Sequence, residues 1–137
     1  MTRYLLDTQI FIWLISNSQK LNSNIKDELE DYNNLLFLSP ISLMEIAIKN
    51  RDRDLDFIGF DFNYLVKNIE KEFGLKILEI RPMQLDVLNK LIYPTSHKDP
   101  FDHTIISQAI AEKICLISAD RKFPFYIQQG LELLTND

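Results

Sequence analysis

Glycine, cysteine and long apolar runs are scarce in this chain, and each shortage excludes a class of protein. The 137 residues include three glycines, too few for the Gly-rich loop that cradles phosphates in nucleotide-binding proteins. The single cysteine cannot form an internal disulfide, which is compatible with a reducing cytoplasm. The longest apolar run, IFIWLI at residues 10–15, is far too short to cross a bilayer. We expect no signal peptide and predict a cytoplasmic protein without a membrane anchor.

An excess of positive charge is missing as well. The formal net charge of −5 argues against nonspecific coating of nucleic acid. It leaves room for a local basic rim, because several cations cluster near acidic positions. These are Lys49, Arg51 and Arg53 after one apolar segment, Lys98, and the pair Arg121 and Lys122.

Short apolar runs alternate with segments of helical period, which predicts an α/β fold. We expect strands at residues 3–6, 34–39, 75–80 and 114–119, with a weaker fifth at 131–134. Helices are expected at residues 8–18, 22–32, 40–51, 62–74, 82–92 and 100–113. The alternation implies a mostly parallel sheet of about five strands between helical layers, in one domain over residues 1–137.

The segment HKDPFDH, residues 97–103, places two aspartates at the start of a predicted helix. Asp99 is a suitable N-cap, Pro100 suits the first helical position, and Asp102 in the first turn favours the helix dipole. These preferences explain both acids without any ligand. Only further acids brought to the same place by the fold would indicate a site.

Further acids do map to that place. Asp7 follows the first strand and Asp120 follows the fourth, and the carboxyl ends of parallel strands share one edge of a sheet. The helices that carry Glu45 and Asp102 also begin at this edge, so the acids are expected to converge there with Asp99. Taken alone, Glu45 is equally well explained by an ion pair four residues along its own helix.

A cluster of acids repels itself unless a cation balances the charge. Hard oxygen ligands without a cysteine partner indicate Mg²⁺ or Mn²⁺. Such an ion can activate a water and stabilise the charge that builds on a phosphodiester. Lys49, Arg121 and Lys122 would then contact the flanking phosphates. The residues alone therefore predict a metal-dependent phosphodiesterase.

Four blocks, in this order, resemble the PIN-domain ribonucleases and in particular the VapC-type toxins of bacterial toxin–antitoxin pairs. The blocks are LLDTQIFIWL, LSPISLMEIAIK, HKDPFDHTIISQAIAE and LISADRKF. The resemblance implies a PIN-like three-layer α/β/α sandwich and a Mg²⁺- or Mn²⁺-dependent endoribonuclease with an RNA substrate, a cognate antitoxin and a homodimeric state. By position it matches the family acids to Asp7, Glu45, Asp102 and Asp120, with Thr8, Ser118 and Asp99 in support.

The chain departs from the family pattern in three places. Gln9 stands where the family often has Asn or His, and Ser118 stands where Thr is commoner; both keep a usable polar group. The segment NRDRDLDFIGFDF, residues 50–62, is more charged than the Gly-rich turn usual in this branch. That difference concerns substrate contacts in the segment and leaves the metal site intact.

Three alternatives compete with this prediction. His97 and His103 flank the acidic block and suggest a metal-free acid–base ribonuclease, although each is better explained as a phosphate contact or a surface residue. A receiver-like domain needs an acceptor aspartate at the end of the third strand, and LEIRP has none. A catalytically silent PIN-like scaffold would be expected to have lost one of the four acids.

The helix that contains IFIWLI is apolar around its whole circumference, which is typical of a helix that is buried or shared with a partner. We expect one face to pack on the sheet. The other face, with Phe11 and Trp13, is predicted to form an interface with a second copy or with an antitoxin.

Overall fold

The computed structural model describes residues 1–52, 59 and 61–137, and within this part of the chain five short strands alternate with six α-helices. The strands are β1 (Arg3–Leu6), β2 (Leu35–Leu38), β3 (Leu75–Ile77), β4 (Cys115–Ser118) and β5 (Leu133–Thr135). The helices are α1 (Thr8–Ser16), α2 (Ser23–Glu30), α3 (Pro40–Arg51), α4 (Phe62–Lys67), α5 (Pro82–Lys90) and α6 (Pro100–Glu112). The described residues also form 3-10 helices at Ser18–Lys20 and Phe123–Gln129.

The five described strands are parallel and lie in the order β3-β2-β1-β4-β5. β1 is central, and its Leu6 pairs with Leu38 of β2 on one side and Ile117 of β4 on the other. The chain builds outward from β1 to β3 and then returns to add β4 and β5 on the opposite side. The strand order therefore reverses between β1 and β4, which is where open parallel sheets form a ligand crevice at their carboxyl edge.

Two apolar clusters cover the two faces of the sheet. Successive side chains of a strand point to opposite faces, so Leu6 packs with residues of α1 to α4 while Leu5 packs with α6 and the second 3-10 helix. Both leucines are fully buried. Helices on both faces confirm the predicted three-layer α/β/α sandwich.

N-cap residues determine where three of the helices begin. The side chains of Asp7, Ser39 and Asp99 cap α1, α3 and α6 by accepting hydrogen bonds from backbone amides of the first turn. Prolines occupy the first position of α3, α5 and α6, as the sequence predicted. Each of these three capped helices starts at the carboxyl edge, so the caps also place the acids that lie within a turn or two of them.

The fourth helix ends earlier than the sequence predicted. A helix was expected to run to Gly74, but α4 ends at Lys67 and turns follow. The side chain of Asn68 donates a hydrogen bond of 2.8 Å to the carbonyl of Tyr64. Such a local side-chain bond competes with the backbone hydrogen bonds that would continue the helix. Gly74, with a φ of 73°, ends the turns in a backbone conformation that other residues rarely adopt.

Part of the sequence prediction lies outside the described residues. This applies to Arg53 and to most of the charged segment 50–62, of which residues 50–52, 59, 61 and 62 are described. Among the helices of the described ranges, none is both long enough and apolar enough to cross a membrane.

Candidate metal centre at the carboxyl edge of the sheet

Asp7 lies at the carboxyl edge between β1 and β4. Its amide donates a 3.0 Å hydrogen bond to the carbonyl of Ile117, which extends the pairing of the two strands by one residue. Its Oδ1 accepts a 2.8 Å bond from the amide of Thr8, and its Oδ2 accepts a 2.8 Å bond from the hydroxyl of Ser118. Both oxygens of a nearly buried carboxylate are thus held in fixed positions.

The charge of Asp7 is costly in this position. Asp7 is 7% exposed, and burial is the main reason why its pKa rises from 3.8 to about 7. The nearby carboxylates of Asp102 and Glu45 raise the pKa further, while the hydrogen bonds from Ser118 and Thr8 act in the opposite direction. Near neutral pH, Asp7 of the folded protein is therefore close to its pKa, and a bound cation would favour its ionised form.

Glu45 approaches Asp7 from the second turn of α3. The hydroxyl of Thr8 donates a 2.7 Å hydrogen bond to Glu45 Oε1, and a 2.9 Å bond joins the same hydroxyl to that of Ser42. Burial and then the charge of Asp102 raise the pKa of Glu45, against the opposing effects of Thr8 and Lys49. Thr8 therefore ties the acid on α3 to the start of α1.

Asp102 and Asp120 complete the group of four predicted acids. Asp102 lies in the first turn of α6, and Asp120 follows β4, where its amide donates a 3.0 Å bond to the hydroxyl of Ser118. Ser118 thus connects Asp7 with Asp120. Burial raises the pKa of Asp102, and the charges of Asp99 and Asp120 raise it further.

The acids surround one cavity of about 370 Å³ at the reversal of strand order. Its lining includes Asp7, Glu45, Asp99, Asp102 and Asp120, together with Lys49, Gln9 and Trp13. The structure therefore brings together the acids that the sequence singled out. Asp99 also accepts a 2.9 Å bond from the amide of Phe101, so its predicted role as the N-cap of α6 is confirmed.

The donor set fits a hard divalent cation. Carboxylate oxygens without thiolates are the ligands that Mg²⁺ and Mn²⁺ prefer. One oxygen each from Asp102 and Asp120 and a ring nitrogen of His97 lie within 4.8 Å of one another. Three of the surrounding acids have raised pKa values, and a cation between them would favour their ionised forms.

His97 belongs to this site, although the sequence indicated only a phosphate contact or a surface residue. It is 2% exposed, its Nε2 lies 2.9 Å from Asp102 Oδ2, and its Nδ1 lies 2.7 Å from the hydroxyl of Tyr126. His103 is buried too, with its Nε2 2.8 Å from the carbonyl of His97. The surface interpretation was therefore wrong for both. The one local signal for His97 was its position five residues before Asp102, shortly before the helix that begins at Pro100.

The predicted basic rim is only partly at the cavity. Lys49 lines it and lowers the pKa of Glu45, yet the ion pairs formed among the described residues do not include these two. Arg121 and Lys122 are exposed beside Asp120, and the amide of Lys122 donates a 2.9 Å bond to its carboxylate. Contacts of these three cations with phosphate stay a prediction.

The two aromatic residues of α1 have different surroundings. Phe11 is fully buried, and its ring packs edge-to-face on Phe73 with centroids 6.4 Å apart. A residue without exposed surface cannot contact a partner, so the interface prediction for Phe11 was wrong. Trp13 is half-buried and lines the acidic cavity, and its role in an interface stays a prediction.

Comparison with known proteins identifies the family. The family model of the PIN domain matches residues 4–126, so the chain belongs to the PIN domain family. This excludes the receiver-like alternative. No curated protein sequence matches the chain significantly.

Solved structures with the same fold include toxin–antitoxin complexes. DNA-bound VapBC of Salmonella typhimurium is similar at 17% identity and a TM-score of 0.69, over 100% of both chains. VapBC2 of Rickettsia felis, bound to a promoter fragment, is similar at 19% identity and a TM-score of 0.67, over 99% of this chain and 100% of that one. VapBC-5 of Mycobacterium tuberculosis, a member of the VapBC family of toxin–antitoxin systems, is similar at 11% identity and a TM-score of 0.64, over 98% of both chains. At these identities the likeness shows a shared fold.

Proposed function

We propose that this chain is the toxin of a VapC-type toxin–antitoxin pair, a cytoplasmic endoribonuclease that hydrolyses RNA phosphodiester bonds with Mg²⁺ or Mn²⁺. One observation carries the proposal. Four acids from four separate segments line a single cavity at the sheet reversal, and three of them have raised pKa values. Membership of the PIN domain family and the shared fold with VapBC structures support it.

The protein's own residues supply the frame for this chemistry. The oxygens of Asp7, Glu45, Asp102 and Asp120 would hold the cation. The hydroxyls of Thr8 and Ser118 orient the carboxylates of Glu45 and Asp7, and Ser118 also accepts a hydrogen bond from the backbone amide of Asp120. The bound cation would supply an activated water and stabilise charge on the phosphodiester. Lys49 lines the cavity, and in this proposal it contacts a phosphate of the bound strand.

RNA cleavage is expected to require a divalent cation. Purified protein should cut RNA in Mg²⁺ or Mn²⁺ and leave 5′-phosphate and 3′-hydroxyl ends, because water attacks phosphorus directly. Adding EDTA should stop the reaction. Cleavage that persists in EDTA, or products with cyclic phosphate ends, would instead support the paired-histidine ribonuclease. RNA binding without any cleavage in either metal would support the silent scaffold.

A homodimer and an antitoxin belong to the same proposal. The structural neighbours named VapBC are complexes with an antitoxin, and α1 presents the half-buried Trp13 beside the cavity. We expect light scattering to show a dimer at micromolar concentration and Trp13→Asp to shift it toward the monomer. Leu65 is fully buried, so Leu65→Asp should unfold the chain rather than dissociate a folded dimer, and it serves as a contrast to Trp13→Asp. A monomeric wild type would contradict the homodimer and leave the antitoxin to be tested by co-purification.

A further inference from the structure

Two buried side chains and the half-buried Asp102 form a hydrogen-bonded chain from the core to the acidic cavity. Tyr126 is fully buried in the second 3-10 helix, and its hydroxyl lies 2.7 Å from His97 Nδ1. On the other side of the same ring, His97 Nε2 lies 2.9 Å from Asp102 Oδ2. Asp102 lines the cavity, whereas His97 is 2% exposed. The imidazole of His97 therefore connects the core to Asp102, one of the carboxylates expected to bind the metal.

The protons along this chain can be placed from the chemistry of its members. An ionised carboxylate only accepts hydrogen bonds, so the nitrogen facing Asp102 must be the one that carries a proton. In a neutral imidazole the other nitrogen is then an acceptor, and Tyr126 is its donor. The raised pKa of Tyr126, about 12, caused mainly by burial, keeps that proton on the hydroxyl. For a neutral imidazole beside an ionised Asp102, the two hydrogen bonds select the tautomer of His97 with hydrogen on Nε2.

Both the backbone and the ring of His97 are held by further contacts. Its amide donates a 3.0 Å bond to the carbonyl of Pro94, and its own carbonyl lies 2.8 Å from His103 Nε2. The rings of Phe123 and Tyr126 lie at centroid distances of 5.8 and 5.5 Å. An imidazole that is flanked by these rings and hydrogen-bonded at both nitrogens can hold a hydrogen bond in one direction without losing entropy when a ligand arrives.

We propose that His97 is a positioning residue of the metal centre: its Nε2–H holds Asp102 Oδ2 in place, and Tyr126 fixes the tautomer that makes this possible. Within the described residues, Asp102 Oδ1 receives no hydrogen bond and stays available to the cation. Hydrogen bonds to ligating carboxylates orient them, and their loss commonly weakens metal binding about 10–100-fold. The inference rests on the function proposed above only in assuming that the cavity binds a cation.

Heteronuclear NMR of the imidazole nitrogens tests the tautomer directly. The chain contains two histidines, so the spectrum has few signals, and His97→Gln assigns them by removing one set. We expect His97 to show a protonated Nε2 and an unprotonated Nδ1, both in metal-free protein and after Mg²⁺ is added. An unprotonated Nε2 that shifts strongly with Mg²⁺ would mean that His97 is itself a ligand and would overturn the inference.

Two pairs of variants test the role in metal binding, measured by calorimetry with Mg²⁺ alone. His97→Leu should weaken binding about 10–100-fold, while His97→Gln should recover most of it, because its amide nitrogen can reach Asp102. Tyr126→Phe removes only the donor to Nδ1 and should give mixed tautomers and weaker binding. Tyr93→Phe removes a hydroxyl from a ring that stacks on His103, 4.5 Å between centroids, and should change neither readout.

The outcomes separate this inference from the proposed function. Wild-type binding in His97→Leu, or a single unchanged tautomer in Tyr126→Phe, would show that His97 is only a packing residue. If His97→Leu does not fold, Tyr126→Phe still decides, since it keeps the ring. A wild type that binds Mg²⁺ with the expected tautomer but never cuts RNA would overturn the ribonuclease and leave the positioning role standing. No Mg²⁺ binding at all would overturn both.

Discussion

Asp7→Asn is expected to stabilise the metal-free protein at neutral and higher pH while RNA cleavage falls by orders of magnitude. The substitution keeps the shape of the side chain, and asparagine is as good an N-cap as aspartate, so α1 should still begin at Thr8. What it removes is a charge that burial and two neighbouring carboxylates make unfavourable. The acid whose charge is most unfavourable in the metal-free fold, Asp7, is thus the one expected to contribute most to cation binding.

The gain should depend on pH in a defined direction. The pKa of Asp7 is raised by folding from 3.8 to about 7, so between these values the folded state binds more protons than the unfolded state. Stability of the wild type therefore falls as pH rises through that window and levels off above it. A shift of about 3 units corresponds to at most about 4 kcal/mol. The advantage of Asp7→Asn should be near zero at about pH 4 and approach that limit at about pH 8.

Urea unfolding of metal-free protein across this pH range measures the effect. Asp61→Asn is the matched control, because Asp61 is also a helix N-cap, of α4, but is exposed. Its effect should stay within about 0.5 kcal/mol at every pH. Excess Mg²⁺ should restore stability to the wild type at high pH, since it binds only the folded state, and should do little for Asp7→Asn. An advantage of equal size at low and high pH would show that the buried charge is not its cause.

The features that sequence reasoning predicted are those determined by neighbouring residues. The start of α6 follows from Asp99 and Pro100, and the place of Asp7 follows from its position after a short apolar strand. Parallel pairing then carries these positions to a common edge, because both strand ends and capped helix starts lie there. Convergence of the acids required no knowledge of any side-chain contact.

The features it missed depend on contacts between distant segments. His97 is hydrogen-bonded to Tyr126, which lies 29 residues away, and its position before Asp102 in HKDPFD does not by itself distinguish a buried histidine from an exposed one. Phe11 is buried by packing with Phe73 across the chain, although an apolar helix taken alone allows either face to be outside. The early end of α4 at Asn68 is a local competition that helix propensity alone underestimates.

Asp102→Asn and the variants of Asp99 are expected to change stability for different reasons. Burial and the charges of Asp99 and Asp120 raise the pKa of Asp102, so neutralising it should stabilise the metal-free protein by roughly 0.5–2 kcal/mol. The amide oxygen of asparagine can still accept the hydrogen bond from His97, so the local structure should persist. Cleavage and stabilisation by Mg²⁺ should both fall sharply, because a ligand oxygen and a charge are lost together.

Two substitutions of Asp99 separate its cap from its charge. Asp99→Asn keeps a good N-cap and removes the charge that raises the pKa of Asp102, so it should be neutral or slightly stabilising without metal. Asp99→Ala also removes the bond to the Phe101 amide and should be about 1 kcal/mol less stable than Asp99→Asn. Thermal melts with and without Mg²⁺, alongside cleavage assays, compare all three variants. If Asp102→Asn loses stability without metal and keeps its activity, Asp102 only starts the helix; if Asp99→Asn abolishes cleavage, Asp99 contacts the cation.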